Sequence, residues 1–192
     1  MKGEWAYYKS KFTPKQCKFI LDHGLDLPGK EATLGVAGDS QITNDEYRKS
    51  KIRFIQKNNS TFAWLFDEMW RMAIETNGLW FDFHISKLDY IQLAEYDASY
   101  KGEYKRHHDV FYINNDPTYH RKITAIVQLT DPAEYEGGQF EMYELNEYPD
   151  PKELLPQGTV IFFPAFVVHA ALPITRGKRH SLACWFDGPK WR

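Results

Sequence analysis

From Leu79 to Asp187 the chain is a succession of strand-length segments, rich in aromatic and β-branched residues and parted by turn residues. No other feature limits the possible fold as much. The segments are Leu79–Ile85, Leu88–Tyr96, Tyr104–Tyr112, His120–Leu129, Gly138–Tyr143, Thr159–Phe163, Val167–Leu172 and Lys178–Asp187. Strands at this spacing predict a β-sandwich or barrel. Ahead of them lie two amphipathic helices. One opens at Thr13-Pro14, with Thr as N-cap and Pro at the first helical position, and ends at Gly24. The other starts at Ser60 or Thr61, buries Phe62, Leu65, Phe66, Met69, Trp70 and Ala73 at helical spacing, and is capped by Asn77-Gly78. Trp64 and Trp70 read as packing residues of that helix. Short strands are expected within 31–37 and at Ile52–Ile55. Gly38–Lys51, rich in Gly, Ser, Asn and charge, reads as a long surface loop and a candidate lid. Glu144–Gln157, acidic and proline-bearing, is a second candidate rim. At 192 residues the chain fits one domain. Residues 1–87 would support a core spanning 88–187.

A net charge of −2 gives no general attraction to nucleic acid or to an anionic membrane. Lys101, Lys105 and Arg106 form only a small basic cluster, too limited to track phosphates. Two cysteines far apart, Cys17 and Cys184, do not make a disulfide framework and read as buried thiols in a reducing compartment. There is no signal-peptide pattern and no apolar stretch long enough to span a membrane, so a cytoplasmic protein is expected.

The chemistry begins at Tyr104-Lys105-Arg106-His107-His108-Asp109. His107 and Asp109 stand two apart, which places both side chains on one face of an extended strand. Alone this is a chance-level pattern: 7 His and 26 acidic residues give about one such pair. Imidazole plus carboxylate is two thirds of a metal site and leaves one imidazole to find. His23, His84, His108, His120 and His180 lack the face or the companions. His169 sits in the apolar run Phe162–Pro173, where a lone His is ordinarily a core residue. Arg179 changes that reading. On its strand Arg179, Ser181 and Ala183 share one face, and Leu182, Cys184 and Phe186 the other. Arg and Ser pointing together into an apolar interior call for a buried anion, and the pair makes a good carboxylate clamp. Two His and one carboxylate form the facial triad of non-haem Fe(II) sites, leaving positions for a 2-oxo acid and O₂. Arg179 would hold the far carboxylate of the oxo acid.

Segment 88–187 resembles the catalytic domain of the Fe(II)/2-oxoglutarate-dependent dioxygenases, in particular their prolyl-4-hydroxylase-like branch. The resemblance rests on Tyr96…Tyr104-x-x-His107-x-Asp109, Gly137-Gly138-x-Phe140, Phe163-Pro164 ahead of His169, Gly177-Lys178-Arg179-x-Ser181 and the closing Trp185-Phe186. The opening Phe12-Thr13-Pro14 helix and the Arg48–Phe54 stretch extend it towards the N-terminus. It implies a mainly β (α+β) fold, a double-stranded β-helix or jelly roll with the N-terminal helices on one face. It further implies Fe(II) on His107, Asp109 and His169, and 2-oxoglutarate on Arg179 with Ser181 and either Tyr96 or Tyr104. A second tyrosine of the family falls at Gln128, whose amide can still hydrogen-bond the cosubstrate. O₂ is the co-reactant and ascorbate a candidate reductant. The implied reaction is decarboxylation of 2-oxoglutarate to succinate and CO₂ coupled to hydroxylation of an unactivated C–H bond. A peptide or protein substrate of prolyl type is expected, with a free amino acid, small metabolite or nucleobase as alternatives. A zinc hydrolase would leave Arg179-x-Ser181 without a role. A non-catalytic jelly-roll binding module is the other competing class.

Overall fold

A computed structural model describes residues 1–32, 47–110, 112–113 and 116–191. Helix α1 (Pro14–Gly24) begins as its first residues dictate: Thr13 and Gln16 form a reciprocal capping box and Pro14 occupies the first turn. The helix ends at Gly24, as expected, and this last helical residue is buried. A Cβ there would lie 2.8 Å from Leu93 Cδ2, so glycine lets the helix end close on the sheet.

A short 3₁₀ turn at Ser60–Phe62, capped by the Asn59 side chain, leads into α2 (Ala63–Thr76). Trp64 and Trp70 pack against the core under it. The strand expected at Leu79–Ile85 does not form. The helix runs on as a wide π turn over Asn77–Phe81 and stops at Asp82 in the left-handed region. The Asn77 amide holds the exit by bonding both backbone groups of Phe83, at 2.9 Å to its N–H and 2.7 Å to its carbonyl. Phe81 is buried and stacks on Phe83, so the apolar residues of this stretch fill the core without pairing as a strand.

The strands, in chain order, are β1 (Ala6–Tyr8), β2 (Lys30–Glu31), β3 (Arg48–Lys49), β4 (Lys51–Gln56), β5 (Tyr90–Asp97), β6 (Glu103–His107), β7 (Tyr112–Ile113), β8 (Asp116–Gln128), β9 (Glu136–Gly137), β10 (Phe140–Tyr143), β11 (Val160–Pro164), β12 (Val168–Ala171), β13 (Ile174–Arg176) and β14 (Lys178–Pro189). The larger sheet runs β1-β11-β8-β14-β5-β4-β2, with β7 paired to β8. The smaller runs β10-β12-β6-β3, and β13 pairs with β9. All pairings are antiparallel. Of the expected lid, residues 38–46 lie outside the described residues. Its end is Arg48–Lys49, paired with Tyr104 and Glu103 of β6, followed by the start of β4. Within the expected rim loop a turn of helix, α3 (Pro151–Leu154), forms. That loop is tied to the N-terminal segment: Trp5 donates to the Glu147 carbonyl, and Lys9 pairs with Glu153 at 3.0 Å.

Strand alternation on β14 divides the core into layers. Leu182, Cys184 and Phe186 face α1 and α2, and Ala183 and Trp185 face the smaller sheet. Each large apolar side chain so buried contributes about 1.5–3 kcal/mol. Both cysteines are free and buried, and burial pushes the Cys17 thiol up to about 11. Among the described residues no helix is long and apolar enough to cross a membrane.

Candidate metal centre and cosubstrate pocket

The space between the sheets is where inward positions on β6, β12 and β14 meet. His107 and His169 are direct cross-strand partners of β6 and β12. Strand β6 ends at His107, so Asp109 is placed by the following irregular segment, where its N–H donates to the Ala165 carbonyl at 2.7 Å. The ligand-type atoms of His107, Asp109 and His169 all lie within 4.8 Å of one another. His107 Nε2 is 3.7 Å and His169 Nε2 3.5 Å from the carboxylate of Asp109. These gaps are too long for hydrogen bonds and short enough for the three groups to share one ion.

The surroundings prepare each group for that role. His107 Nδ1 lies 2.8 Å from the Lys105 carbonyl, and His169 Nδ1 lies 3.0 Å from the Val167 carbonyl. A carbonyl only accepts, so each Nδ1 carries the proton and each Nε2 keeps its lone pair. Burial, and then His169, push the His107 imidazole down to about 3, so it stays neutral at ordinary pH. Asp109 Oδ2 accepts from Thr124 Oγ1 at 2.8 Å and Trp185 Nε1 at 2.9 Å. Burial opposes ionisation of this carboxyl. The His169 and His107 imidazoles, Arg121 and the Trp185 N–H outweigh it and hold the group below the usual carboxylate range. Thr124 and Trp185 were given no role from the sequence. Their signal was available in the alternation, since Trp185 shares the face of Arg179 and Ser181, and Thr124 that of Gln128.

Arg179 is 2% exposed, whereas its neighbour Lys178 lies at the surface and pairs with Asp97 at 2.7 Å. A terminal guanidinium nitrogen of Arg179 donates to Gln128 Oε1 at 2.8 Å, and its Nε has no partner among the described residues. Gln128 is buried too, and its amide nitrogen remains as a donor. Ser181 is buried opposite Gln128 on β8. Tyr96 is the cross-strand partner of Arg179, with its ring 5.5 Å from the guanidinium carbon. Tyr104 lies elsewhere: its ring stacks on His107, with centroids 3.4 Å apart at 13°. The wall behind Arg179 is the Gly137-Gly138 turn, where both glycines have positive φ. A Cβ on Gly138 would stand 2.1 Å from Ile174 Cδ1 and 3.3 Å from Arg179 Cδ.

A model of the 2OG-Fe(II) oxygenase superfamily matches residues 91–187, half of the chain. The chain belongs to that superfamily. As a 2OG-Fe(II) oxygenase it has relatives among PKHD-type hydroxylases. One from Cupriavidus metallidurans is 36% identical over 63 residues, which is 33% of this chain and 27% of that protein. Another from Aliarcobacter butzleri is 32% identical over 89 residues, 45% of this chain and 38% of that protein. The matched stretch thus spans well under half the length of these relatives. The fold matches a prolyl-4-hydroxylase from Pseudomonas putida with a TM-score of 0.70 at 18% identity, over 96% of this chain and 92% of that one. It also matches a Trichoplax adhaerens prolyl hydroxylase in complex with a hypoxia inducible factor peptide fragment, with a TM-score of 0.73 at 17% identity, over 96% and 83% of the two chains. The oxygenase fold is therefore the expected jelly roll, mostly β with few helices. The family implies Fe(II), 2-oxoglutarate and O₂, and the neutral-imidazole, carboxylate and buried-guanidinium set found here fits that requirement.

Proposed function

We propose that this chain is a hydroxylase that couples conversion of 2-oxoglutarate and O₂ into succinate and CO₂ to C–H hydroxylation of a peptide or protein, on a prolyl residue. The observation that carries the reading is Arg179, a guanidinium buried inside the fold whose Nε has no partner among the described residues. A buried cation so arranged is a carboxylate receptor, and it stands between the same sheets as the His107–Asp109–His169 group.

In this reading His107 Nε2, His169 Nε2 and Asp109 hold Fe(II), which with O₂ and 2-oxoglutarate supplies the oxidising power. Thr124 and Trp185 orient the Asp109 carboxylate and keep it ionised. Arg179, with Ser181, Tyr96 and the Gln128 amide, fixes the far carboxylate of 2-oxoglutarate. The apolar wall of Phe140, Phe163 and Trp185 excludes water from the reacting centre. The prolyl preference rests on the likeness to hydroxylases named for that residue. Residues 1–192 act as one domain in this proposal, within the cytoplasm. The test is succinate release with Fe(II) and 2-oxoglutarate against proline-containing peptides, free amino acids and methylated oligonucleotides. Peptide-stimulated turnover is the expected result. Stimulation by the nucleotides or amino acids alone would reassign the substrate, and no 2-oxoglutarate turnover under any condition would overturn the reading.

A further inference from the structure

Away from the metal group, the edge strand β1 borders a trough of about 790 Å³ that the proposed reaction leaves unused. Its lining takes residues 1–8 in unbroken succession, with Glu75, Leu79 and Trp80 from the end of α2 and Asn146 and Glu147 from the rim loop. None of these belongs to the His107–Asp109–His169 group or to the Arg179 pocket.

The unbroken run is informative. Side chains of a strand alternate between faces, so a cavity on one face would be lined by every second residue. Successive residues line a cavity when the chain turns its edge towards it. β1 is the last strand of the larger sheet, paired on one side with β11, where Ala6 stands opposite Phe162 and Tyr8 opposite Val160. Among the described residues no strand pairs its other side, so alternate backbone N–H and C=O groups are left pointing outward there. The strand itself, Ala-Tyr-Tyr, has neither the charge nor the proline that ordinarily guards such an edge.

The walls are aromatic and held in place. The Lys2 N–H donates to the Trp80 carbonyl at 2.6 Å, and a Cβ on Gly3 would stand 2.9 Å from Trp80 Cε3, so the ring is laid against the backbone. Trp80 nevertheless stays 41% exposed and Leu79 56%, while Phe81 turns into the core. Trp5 donates its indole N–H to the Glu147 carbonyl at 2.8 Å and stacks with Tyr7, centroids 6.0 Å apart. The lining side chains carry three carboxylates, Glu4, Glu75 and Glu147, against one ammonium, Lys2. Glu4 accepts from the backbone and side-chain nitrogens of Asn146 at 2.8 and 3.1 Å, which are neutral donors, and among the described residues neither Glu4 nor Glu147 forms an ion pair. Indole faces beside unpaired carboxylates favour a cationic occupant and repel an acidic one. Ligand clefts run to about 300–1,000 Å³, so this volume suits a segment of several residues better than a lone ion.

We propose that the trough binds an extended, basic segment of a partner protein. The segment adds to the free edge of β1 as a further strand and sets lysine or arginine side chains against Trp80, Trp5 and the three carboxylates. The site is separate from the metal centre and does not depend on the hydroxylase reading.

The probe is the blocked peptide acetyl-Thr-Lys-Lys-Val-Lys-Lys-Thr-amide, titrated calorimetrically into the full chain at low and at high salt. Three controls accompany it: the same peptide with glutamate for every lysine, the lysine peptide N-methylated at two successive central amides so that each of its edges loses a donor, and lysine amide alone. The lysine peptide should bind about tenfold or more tightly than each control, and more weakly as salt rises. Trp80→Ser should weaken it about three- to tenfold. Glu75→Gln with Glu147→Gln should weaken it about threefold or more at low salt. All three positions are exposed, so thermal unfolding should move little. Hydrogen exchange of the β1 amides should slow when the peptide binds.

A wild type that does not bind the lysine peptide overturns the proposal, as does equal affinity for the glutamate peptide. Equal affinity for the N-methylated peptide, or unaltered exchange at β1, overturns strand addition, and equal affinity for lysine amide reduces the trough to a cation cage. Sedimentation of the free protein tests a second copy as occupant: a dimer that Trp80→Ser dissociates would give the trough to that copy and overturn the proposal too. Should Trp80→Ser lower the melting temperature, the glutamine double variant and the exchange at β1 decide the matter without it.

Discussion

Replacing Arg179 by Met separates its value for the fold from its value for the cosubstrate, and the two should have different sizes. The guanidinium is 2% exposed and, among the described residues, hydrogen-bonds Gln128 at 2.8 Å. Removing it relieves a buried charge, which is favourable or neutral. It also leaves Gln128 Oε1 buried without a donor, at a cost of about 1–3 kcal/mol. The balance for folding should stay within about 2 kcal/mol, and Fe(II) affinity should not move, since the triad lies on other residues. Cosubstrate binding should respond far more. Truncating one partner of a buried, hydrogen-bonded charge pair costs roughly 2–5 kcal/mol. At about 1.4 kcal/mol per decade this weakens 2-oxoglutarate binding roughly 30- to 4,000-fold. Anaerobic calorimetry with Fe(II)-loaded protein reads both affinities, and thermal unfolding reads stability. A change in 2-oxoglutarate affinity below about fivefold, or an equal loss of Fe(II) affinity, would refute the assignment of the buried cation to the cosubstrate.

Three further outcomes follow from the same geometry. His107→Ala and Asp109→Ala should each abolish Fe(II) retention and succinate release, checked by metal analysis after gel filtration, with the fold preserved in circular dichroism. Gly138→Ala forces a Cβ to 2.1 Å from Ile174 at positive φ; it should destabilise the protein by about 1–3 kcal/mol and weaken 2-oxoglutarate binding by displacing Arg179. Asp187 is buried, and burial raises its carboxyl to about 7, above the pull of Arg121 and Lys87. The native state therefore keeps a proton that the unfolded chain loses near pH 4. Stability should fall as pH rises from about 4 to about 7, by up to about 1.4 kcal/mol per pH unit, and level off above. Asp187→Asn should flatten this slope and raise the melting temperature at pH 8; a slope unchanged in that variant would count against the argument.

The sequence by itself determined whatever depends on local period. Two-residue spacing put Arg179 with Ser181 on one face of β14, and the capping signals placed α1 at Thr13, whereas Asp109 reaches His107 from the irregular segment beyond the end of β6. These survive because alternation and capping are set by neighbours along the chain. Most strands were legible for the same reason. Leu79–Ile85 was not, because the Asn77 side chain and the extended end of α2 offered its backbone other hydrogen bonds while Phe81 still reached the core. Only the tertiary structure decided the register slips. The bulge in β6 turns Tyr104 onto His107, and the slip between β14 and β8 at Phe186/Asp187 sets Arg121 against the Trp185 ring at 3.8 Å. A bulge is a mismatch in length between two paired strands, so no single segment records it. Arg48 shows the limit most plainly. From the sequence it belonged to a family-like stretch; only pairing across 56 residues to Tyr104 sets its guanidinium over the ring that stacks on the metal-site His107.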